Sequence, residues 1–343
     1  MIVTHFQRRP IPPQNFSMER VFSTVRAALP GWVDCHLVVS RFQSRGLLPR
    51  IYNIFEARWK QAGINHITGD ISYLTVLLRQ QNTLLTIHDC GSMHRLSGWR
   101  RAFFRLCWLW LPVRRCTLVS VISEYTKQEV IRFTGCPAGK IRVIPDPVGA
   151  EFRPCLRPFR EDMPHILQVG TGANKNVSRV AEALAGIRCE LHIIGHLHDE
   201  DRHQLERCQI RYRESRDLTD DEMLEAYRDS DLVVFASTYE GFGLPIVEAN
   251  AAGRPVVTSA LAPMTEVAGD AAALVDPYDP ASIREGIRRV IEDADYRAGL
   301  IEKGFRNAAR FGAAEIAAQY AALYGEIGHK ISLPVPEDER CAV

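Results

Sequence analysis

Short apolar runs alternate with longer segments of mixed polarity along most of the chain. In the second half the apolar runs cover residues 165–169, 191–195, 232–236, 255–258 and 272–275. Strands that are apolar on both faces and separated by helices are typical of a parallel sheet covered by helices on both sides. The pattern predicts an α/β fold, in which ligands bind at the carboxyl ends of the strands.

The first half shows the same alternation less clearly. Its strand candidates are residues 1–6, 35–40, 64–68, 84–87, 118–120 and 141–144. Residues 151–164 hold three prolines and six charged side chains and are typical of a linker between domains. We therefore predict two α/β domains that divide at about residue 160.

Charge divides the chain at the same place. Residues 1–160 carry 23 Lys/Arg and 9 Asp/Glu, a balance of +14, whereas the remainder carries −13, which gives the net charge of +1. A basic half indicates a domain that faces an anionic partner, such as phosphates, acidic glycans or the cytoplasmic leaflet of a membrane. A chance difference in charge between two domains is the alternative.

The spacing of the cysteines and the length of the apolar stretches indicate the cellular compartment of the protein. The nine cysteines are scattered and never spaced as C-x-x-C, which argues against a disulfide framework and a zinc knuckle. No stretch approaches the roughly 20 consecutive apolar residues of a membrane span. We expect a cytoplasmic protein that is peripheral to the inner membrane face at most.

The strongest chemical signal is the segment EGFGLPIVE, residues 240–248, which follows a predicted strand. Gly241 and Gly243 allow the backbone to approach a ligand, and the start of the next helix offers N–H groups to an anion. Glu240 and Glu248 place a carboxylate on either side of this phosphate-sized site. Because carboxylates accept hydrogen bonds from hydroxyls, a nucleotide-diphosphate sugar would satisfy all of these features together.

This segment resembles the E-x7-E motif of the retaining GT-B glycosyltransferases of family 4. The resemblance implies two Rossmann-like domains, residues 1–160 and residues 161–311, that face each other across a cleft. It also implies that a last helix, residues 312–330, returns to the first domain. It further implies a metal-independent hexosyltransferase without a cofactor. The donor-binding residues it implies are Gly170, Thr171, Asn174, Lys175, Glu240, Gly241, Phe242, Gly243, Leu244 and Glu248.

The substrates follow from the same resemblance. The donor is expected to be a GDP- or UDP-linked sugar. Similarity to mannosyltransferases of surface-polysaccharide assembly favours mannose, with a glycan or a lipid-linked oligosaccharide as the acceptor. We expect no nucleic-acid partner and no metal, since the histidines between residues 192 and 203 lack a recognisable zinc spacing.

A second signal is the segment VGTGANK, residues 169–175, at the end of another predicted strand. It looks like the phosphate loop of the family, in which Lys175 would neutralise the diphosphate and stabilise the leaving group. Thr171 and Asn174 stand where many members carry an additional arginine. The G-x-G in this loop lacks the third glycine of a dinucleotide-binding motif, which argues against a nicotinamide enzyme.

His88 follows an apolar strand of the first half, where a side chain faces the ligand edge of the sheet. Family members frequently have a histidine-aspartate pair at this point, and the resemblance implies that His88 contacts the donor sugar or the reacting centre. We therefore group it with Lys175 and Glu240 as candidate catalytic residues. A capping or core histidine is the alternative.

Four further residues of the first half are candidates for the acceptor side. They end three predicted strands and are Gly69, Asp70, Asp89 and Ser123. Ser123 precedes a helical pattern, and capping of that helix is the alternative for it.

Residues 99–115 mix aromatic side chains with arginines at helical spacing. Such a segment could lie on an anionic membrane surface, or its apolar face could belong to the core.

Two rival functions also remain: a nucleotide-sugar epimerase or phosphorylase on the same fold, and a non-catalytic binding or scaffold protein.

Overall fold

The computed structural model describes residues 1–10 and 17–332, and the chain divides into two compact units. Of the described residues, those up to Pro145 and from Ala314 to Ser332 form unit 1, and Asp146–Ala313 form unit 2. The boundaries differ from the predicted ones at residues 160 and 311, because the linker-like segment belongs to unit 2. Cys155 donates its backbone N–H to the carbonyl oxygen of Ala252, and Arg160 forms an ion pair with Asp231.

Within the described residues, unit 1 contains a six-stranded parallel sheet with the strand order β2-β1-β3-β4-β5-β6. The strands are β1 Ile2–Gln7, β2 Asp34–Val39, β3 Ile64–Ile67, β4 Thr83–Ile87, β5 Leu118–Val121 and β6 Ile141–Val143. The helices up to Pro145 are α1 Ser17–Ala28, α2 Leu47–Lys60, α3 Gly91–Arg95, α4 Gly98–Phe104, α5 Leu111–Arg114 and α6 Glu124–Thr134. A π-helical turn, Arg105–Trp110, joins α4 to α5.

Unit 2 is built on a second six-stranded parallel sheet, with the order β12-β11-β10-β7-β8-β9 among its described residues. The strands are β7 His165–Val169, β8 Glu190–Ile194, β9 Tyr212–Ser215, β10 Leu232–Phe235, β11 Val256–Ser259 and β12 Ala273–Val275. The helices are α7 Val177–Leu184, α8 Asp199–Arg207, α9 Asp220–Asp229, α10 Leu244–Ala252, α11 Met264–Ala268, α12 Pro280–Glu292 and α13 Ala294–Ala309.

The predicted α/β class with two parallel sheets is confirmed. Central strands such as β10 and β11 are buried along their whole length, because helices cover both faces of the sheet. The sequence pattern missed β9, which lies at the sheet edge and has the polar sequence YRES. An edge strand that is only partly buried carries no continuous apolar run, so hydrophobicity alone cannot reveal it.

The C-terminal helix, α14 Ala313–Ser332, packs on unit 1. Its Tyr324 is fully buried, and the hydroxyl group lies 2.8 Å from Nε2 of His5 and 2.8 Å from Nδ1 of His66. No helix within the described residues is long and apolar enough to cross a membrane.

Candidate active site

The loop after β7 brings Lys175 to the carboxyl end of the unit 2 sheet. Gly170 has a φ of 93°, a left-handed conformation that favours glycine, and a β-carbon there would lie 2.8 Å from Cε of Lys175. A short 3-10 turn, Ala173–Lys175, then leads into α7. The glycine therefore makes room for the lysine side chain to fold back over the loop.

Lys175 meets Glu240, which lies in the loop after β10. Its Nζ lies 2.7 Å from Oε1 of Glu240 and 4.5 Å from the ring centroid of Phe235. Asn174 donates to the same carboxylate oxygen at 3.2 Å and to the carbonyl oxygen of Tyr239 at 2.8 Å. Two predicted donor-binding segments that are 65 residues apart in sequence therefore share one ion pair.

The helix after Glu240 begins at a glycine. Gly243 is the N-cap of α10 and has a φ of 115°, so a side chain there would strain the backbone. No side chain caps this helix, and in its first turn Pro245 has no N–H and Ile246 donates its N–H to the carbonyl oxygen of Gly243. The N–H of Leu244 and the positive end of the helix dipole therefore lie next to the loop that holds Glu240. Such an arrangement favours an anion such as phosphate.

Glu248 lies one turn further along α10 and is half-buried. Its Oε2 accepts a hydrogen bond of 2.6 Å from the hydroxyl group of Tyr227, a fully buried residue of α9. The bond fixes the direction of the carboxylate. Tyr227 was missed in the sequence because it lies on the apolar face of α9 and is typical of a core position there.

The other predicted donor-binding residues differ in exposure. Thr171 is buried and donates to the carbonyl oxygen of His196 at 2.7 Å, so it holds the loop to the neighbouring strand. Phe242 is buried with its ring centroid 5.5 Å from that of Phe311, which leaves its backbone as the part able to meet a ligand. Gly241 and Leu244 are half-buried.

In unit 1, His88 follows β4 and is half-buried. Its Nε2 lies 3.1 Å from the carbonyl oxygen of Thr68, and its ring meets the ring of Phe22 edge to face at 5.9 Å. Thr68 follows β3, the strand next to β4, so the ends of two adjacent strands are joined at this point. Gly69 is buried just after Thr68.

The remaining unit 1 candidates take local structural roles. Ser123 is buried and caps α6, since its hydroxyl oxygen accepts from the backbone N–H of Thr126 at 3.1 Å. The carboxylate of Asp89 accepts from the backbone N–H of Gly91 at 2.6 Å, at the start of α3. Asp70 is exposed and pairs with Arg8 at 3.0 Å, an arginine that the sequence did not single out.

The segment of residues 99–115 forms α4, the π-helical turn and α5, and it has both a core face and an exposed face. Leu109 and Val113 are buried, whereas Trp99 is 78% exposed and Phe103 is 54% exposed. Within residues 1–10 and 17–332, no group of three or more histidine, cysteine or acidic side chains is arranged to hold a metal ion.

Family models match both halves of the chain. The model described as Glycosyltransferase Family 4 matches residues 8–152, and the model described as Glycosyl transferases group 1 matches residues 157–307. A curated relative, O-antigen chain mannosyltransferase B of Escherichia coli, is 27% identical over 215 residues, 57% of this chain and 56% of that protein. The aligned part thus spans about half the length of this relative.

Solved structures share the fold over almost the whole chain. Sucrose-phosphate synthase from Thermosynechococcus elongatus superimposes with a TM-score of 0.76 at 19% identity and covers 95% of this chain and 98% of its own. Anabaena HepE, solved with UDP and glucose, has a TM-score of 0.76 at 16% identity and covers 94% and 99%. These similarities show a GT-B fold, and the two family models show that the chain belongs to the family 4 glycosyltransferases.

Proposed function

We propose that this protein is a retaining glycosyltransferase that moves a hexose from a nucleotide-diphosphate sugar to a hydroxyl group of an acceptor. The observation that carries the proposal is the ion pair between Lys175 and Glu240, which lies next to the N-terminus of α10, where Gly243 is the N-cap. A cation and a helix N-terminus attract a diphosphate, while the adjacent carboxylate accepts hydrogen bonds from sugar hydroxyl groups.

The donor would be held at three points. The diphosphate would lie against Lys175 and the first N–H groups of α10, Glu240 would orient the sugar, and Glu248 would accept from the ribose hydroxyls. The bond from Tyr227 keeps the Glu248 carboxylate oriented before the nucleotide arrives. Such preorganisation lowers the entropy lost on binding.

In the proposed reaction the bond between the anomeric carbon and the diphosphate oxygen breaks, and a bond to the acceptor oxygen forms on the same face. The acceptor proton passes to the departing diphosphate. Lys175 and the helix N-terminus stabilise the charge that develops on the leaving group, which needs neither a metal nor a covalent carboxylate intermediate. His88 is proposed to contact the transferred sugar.

The proposed donor is GDP-mannose, and its acceptor a glycan or lipid-linked oligosaccharide of surface-polysaccharide assembly. The Escherichia coli relative is named a mannosyltransferase of the O-antigen chain, which supports this choice. HepE binds UDP and glucose, which keeps UDP-sugars as the competing donors.

An exposed apolar surface on unit 1 supports a lipid-linked acceptor. Six exposed side chains line one face of α2, and three more continue on α4 and the π-helical turn. They are Leu47, Leu48, Ile51, Tyr52, Phe55 and Trp59, with Trp99, Phe103 and Leu106. Arg50 of α2 links this helix to the π-helical turn, because its guanidinium lies 4.8 Å from the ring centroid of Trp108.

We propose that this surface rests on an anionic membrane. Exposed basic side chains flank it, namely Arg45, Arg58, Lys60, Arg100, Arg101 and Arg105, whereas Glu56, the acidic residue of α2, is buried against Lys60. Apolar and aromatic side chains surrounded by cations are typical of interfacial helices. A second copy of the chain would instead bring like charges together.

Vesicle sedimentation tests the membrane contact. The wild type should sediment with vesicles that contain phosphatidylglycerol and remain in solution with pure phosphatidylcholine. The double variant Leu48→Glu, Trp59→Glu should lose most of this binding. If the wild type instead forms a dimer that the double variant dissociates, the surface is a protein interface and the membrane proposal fails.

Calorimetric titration with GDP, UDP and ADP tests the donor site. We expect one nucleotide to bind selectively and Glu248→Ala to weaken it by at least about tenfold, since a charged hydrogen-bond acceptor is lost. Glu182→Ala, on α7 of the same unit, is the control. Binding of none of the three nucleotides would favour a non-catalytic scaffold instead.

His88→Ala separates catalysis from binding. We expect it to lower kcat more than it raises the KM of the donor, because His88 acts on the sugar rather than on the nucleotide. Unchanged kinetics would remove His88 from the proposed active site.

Product analysis with the donor alone, or with added phosphate, distinguishes a transferase from an epimerase or a phosphorylase.

A further inference from the structure

Unit 2 contains a cavity, lined by both charged and apolar side chains, that the proposed donor site does not use. Its volume is about 270 Å³, and its walls include three guanidinium groups, one carboxylate and several apolar side chains. The cavity lies at the amino end of β10 and the carboxyl end of α10, whereas the donor site lies at the opposite ends of both elements. The nine residues of α10 span roughly 13 Å, so the two places are distinct.

Arg254 is a buried cation in the wall of this cavity. Its exposure is 4%, and it follows the glycine that ends α10. The guanidinium donates to the carbonyl oxygen of Cys155, and its Nε has no hydrogen-bond partner in the described part of the chain. A buried charged group that pairs with a carbonyl but with no carboxylate is costly to a folded protein, so it calls for a functional reason.

The neighbouring carboxylate is already engaged elsewhere. The two oxygens of Asp231 accept from Arg157 at 3.0 Å and from Arg160 at 3.1 Å, and one of them also accepts from the backbone N–H of His165 at 2.7 Å. Burial and repulsion by Arg157 lower the pKa of Arg254. The attraction of Asp231 for this cation is therefore outweighed, and within the described residues Arg254 lacks full compensation.

A second buried arginine faces the same cavity. Arg297 is 7% exposed and donates to the carbonyl oxygens of Val290 and Ile291 at the end of α12. Its carboxylate neighbour, Glu161, is 3.6 Å away and mostly exposed to solvent. With Arg157, three cations line the cavity against the single carboxylate of Asp231, so the walls carry an excess of positive charge.

The size and lining of the cavity define the class of ligand. The volume of about 270 Å³ is enough for one phosphate group with a small organic body. Guanidinium groups match phosphate oxygens in geometry and charge. The side chains of Leu156, Phe159 and Ile301 supply apolar contact for the body of the ligand.

We propose that this cavity binds a small phosphate-bearing molecule, with Arg254 and Arg297 as the residues that hold its phosphate group. The site is separate from the donor site and does not depend on the proposed transfer reaction. Binding supplies the counter-charge that Arg254 lacks, so the ligand stabilises unit 2.

Thermal unfolding with inorganic phosphate tests the site, with chloride at equal ionic strength as the reference. Phosphate at about ten times its Kd should raise the Tm of the wild type by roughly 3–6 °C. Arg254→Met should abolish this rise, whereas Lys175→Met, at the donor site, should keep it. A rise that survives in Arg254→Met, that disappears in Lys175→Met, or that is absent from the wild type overturns the proposal.

Two further results separate a binding residue from a structural one. Without phosphate, Arg254→Met should unfold at the same temperature as the wild type or higher, because methionine fills similar space without a buried charge. A lower Tm would show that Arg254 has the structural role of holding Cys155 instead.

The variant Ala298→Glu, at an exposed position in the cavity wall, should raise the Tm and remove the phosphate effect, because its carboxylate supplies the missing counter-charge. A phosphate effect that persists in this variant contradicts the proposal.

Discussion

The two units share one architecture but use their buried polar groups differently. In unit 2, the polar contacts of the candidate site join two loops, through Lys175 and Glu240 at 2.7 Å and through Asn174 and Tyr239 at 2.8 Å. In unit 1, one network of buried polar side chains lies within the sheet, on β1, β3, β4 and β5. The polar contacts of unit 2 join the loops of its proposed donor site, whereas the polar network of unit 1 holds the C-terminal helix.

The unit 1 network runs across four strands and α14. Tyr324 bridges His5 and His66, and Nε2 of His66 lies 2.7 Å from the hydroxyl group of Thr86, which in turn lies 2.6 Å from that of Ser120. All five residues are almost fully buried. Because residues far apart in sequence share this chain of hydrogen bonds, the network fixes where α14 packs.

Acidification should distinguish the units most strongly. Burial lowers the pKa of His5 to about 3 and that of His66 well below its usual value, whereas the pKa of His192 in unit 2 falls to about 4. Each histidine is neutral when folded and binds a proton when unfolded, so its contribution is complete above pH 6.5 and is lost as the pH falls toward the folded pKa. At pH 5, His5 in unit 1 and His192 in unit 2 each lower the free energy of unfolding by about 2 kcal/mol, and His66 adds a further loss in unit 1.

Native-state hydrogen exchange between pH 7.5 and pH 5 measures this difference, after correction for intrinsic exchange rates. Amides of β3 and β4 should lose more protection than those of β7 and β8. His36→Gln serves as a control, because His36 is exposed beside Asp34. Equal losses in both sheets would contradict the distinction drawn between the two buried networks.

Removing the cation of the unit 2 site should have the next largest effect. Lys175→Met is expected to lower kcat by about 100- to 1,000-fold, because a positioned charge that stabilises a leaving group contributes on that order. Lys303→Met, an exposed lysine near Asp270, is the matched control in the same unit. Transfer assays with the labelled donor give the comparison, and a loss below tenfold would remove Lys175 from leaving-group stabilisation.

Tyr324→Phe tests the unit 1 network. Loss of the hydroxyl group leaves two buried histidine nitrogens without this partner, which should lower the free energy of unfolding by about 2 kcal/mol. Urea denaturation followed by circular dichroism measures it, with Tyr52→Phe on the exposed face of α2 as the control. Nucleotide affinity should stay unchanged, since the donor site lies in unit 2. An effect equal to that of the control would show that the network adds little stability.

Tyr227→Phe should give the smallest effect. The variant keeps the aromatic packing on Phe152 but loses the hydrogen bond to Glu248, so nucleotide affinity should fall by about fivefold, or about 1 kcal/mol. Calorimetry measures this change, with Tyr278→Phe at an exposed position as the control. If affinity stays the same, Glu248 is oriented without help from Tyr227.

Fold class was readable from the sequence because buried parallel strands produce continuous apolar runs. The pattern found eleven of the twelve strands of the described chain, and β9 escaped because half of an edge strand faces solvent. The domain boundary was placed too late, at residue 160. The prolines and charges of residues 151–164 are typical of a linker, yet Arg157 and Arg160 bind this segment to unit 2.

For the candidate site, the sequence identified the loops but not all of their contacts. Glu240 and Glu248 were predicted because glycines, a helix start and carboxylates follow one another at fixed spacing, and Lys175 because its loop resembles the phosphate loop of the family. Tyr227 and the buried Arg254 carry no such local signal. Their roles depend on partners that are distant along the chain, and only folding brings those partners within hydrogen-bond distance.

By itself, the sequence determined that this chain forms two parallel α/β sheets with polar loops at the carboxyl ends of the strands, because hydrophobic periodicity and glycine positions are local properties. The tertiary structure decided which polar groups meet: Lys175 with Glu240, Tyr324 with two histidines, and Arg254 with a carbonyl oxygen but, among the described residues, with no carboxylate. Pairing and burial are long-range properties, since the electrostatic cost of a buried charge depends on every residue that surrounds it.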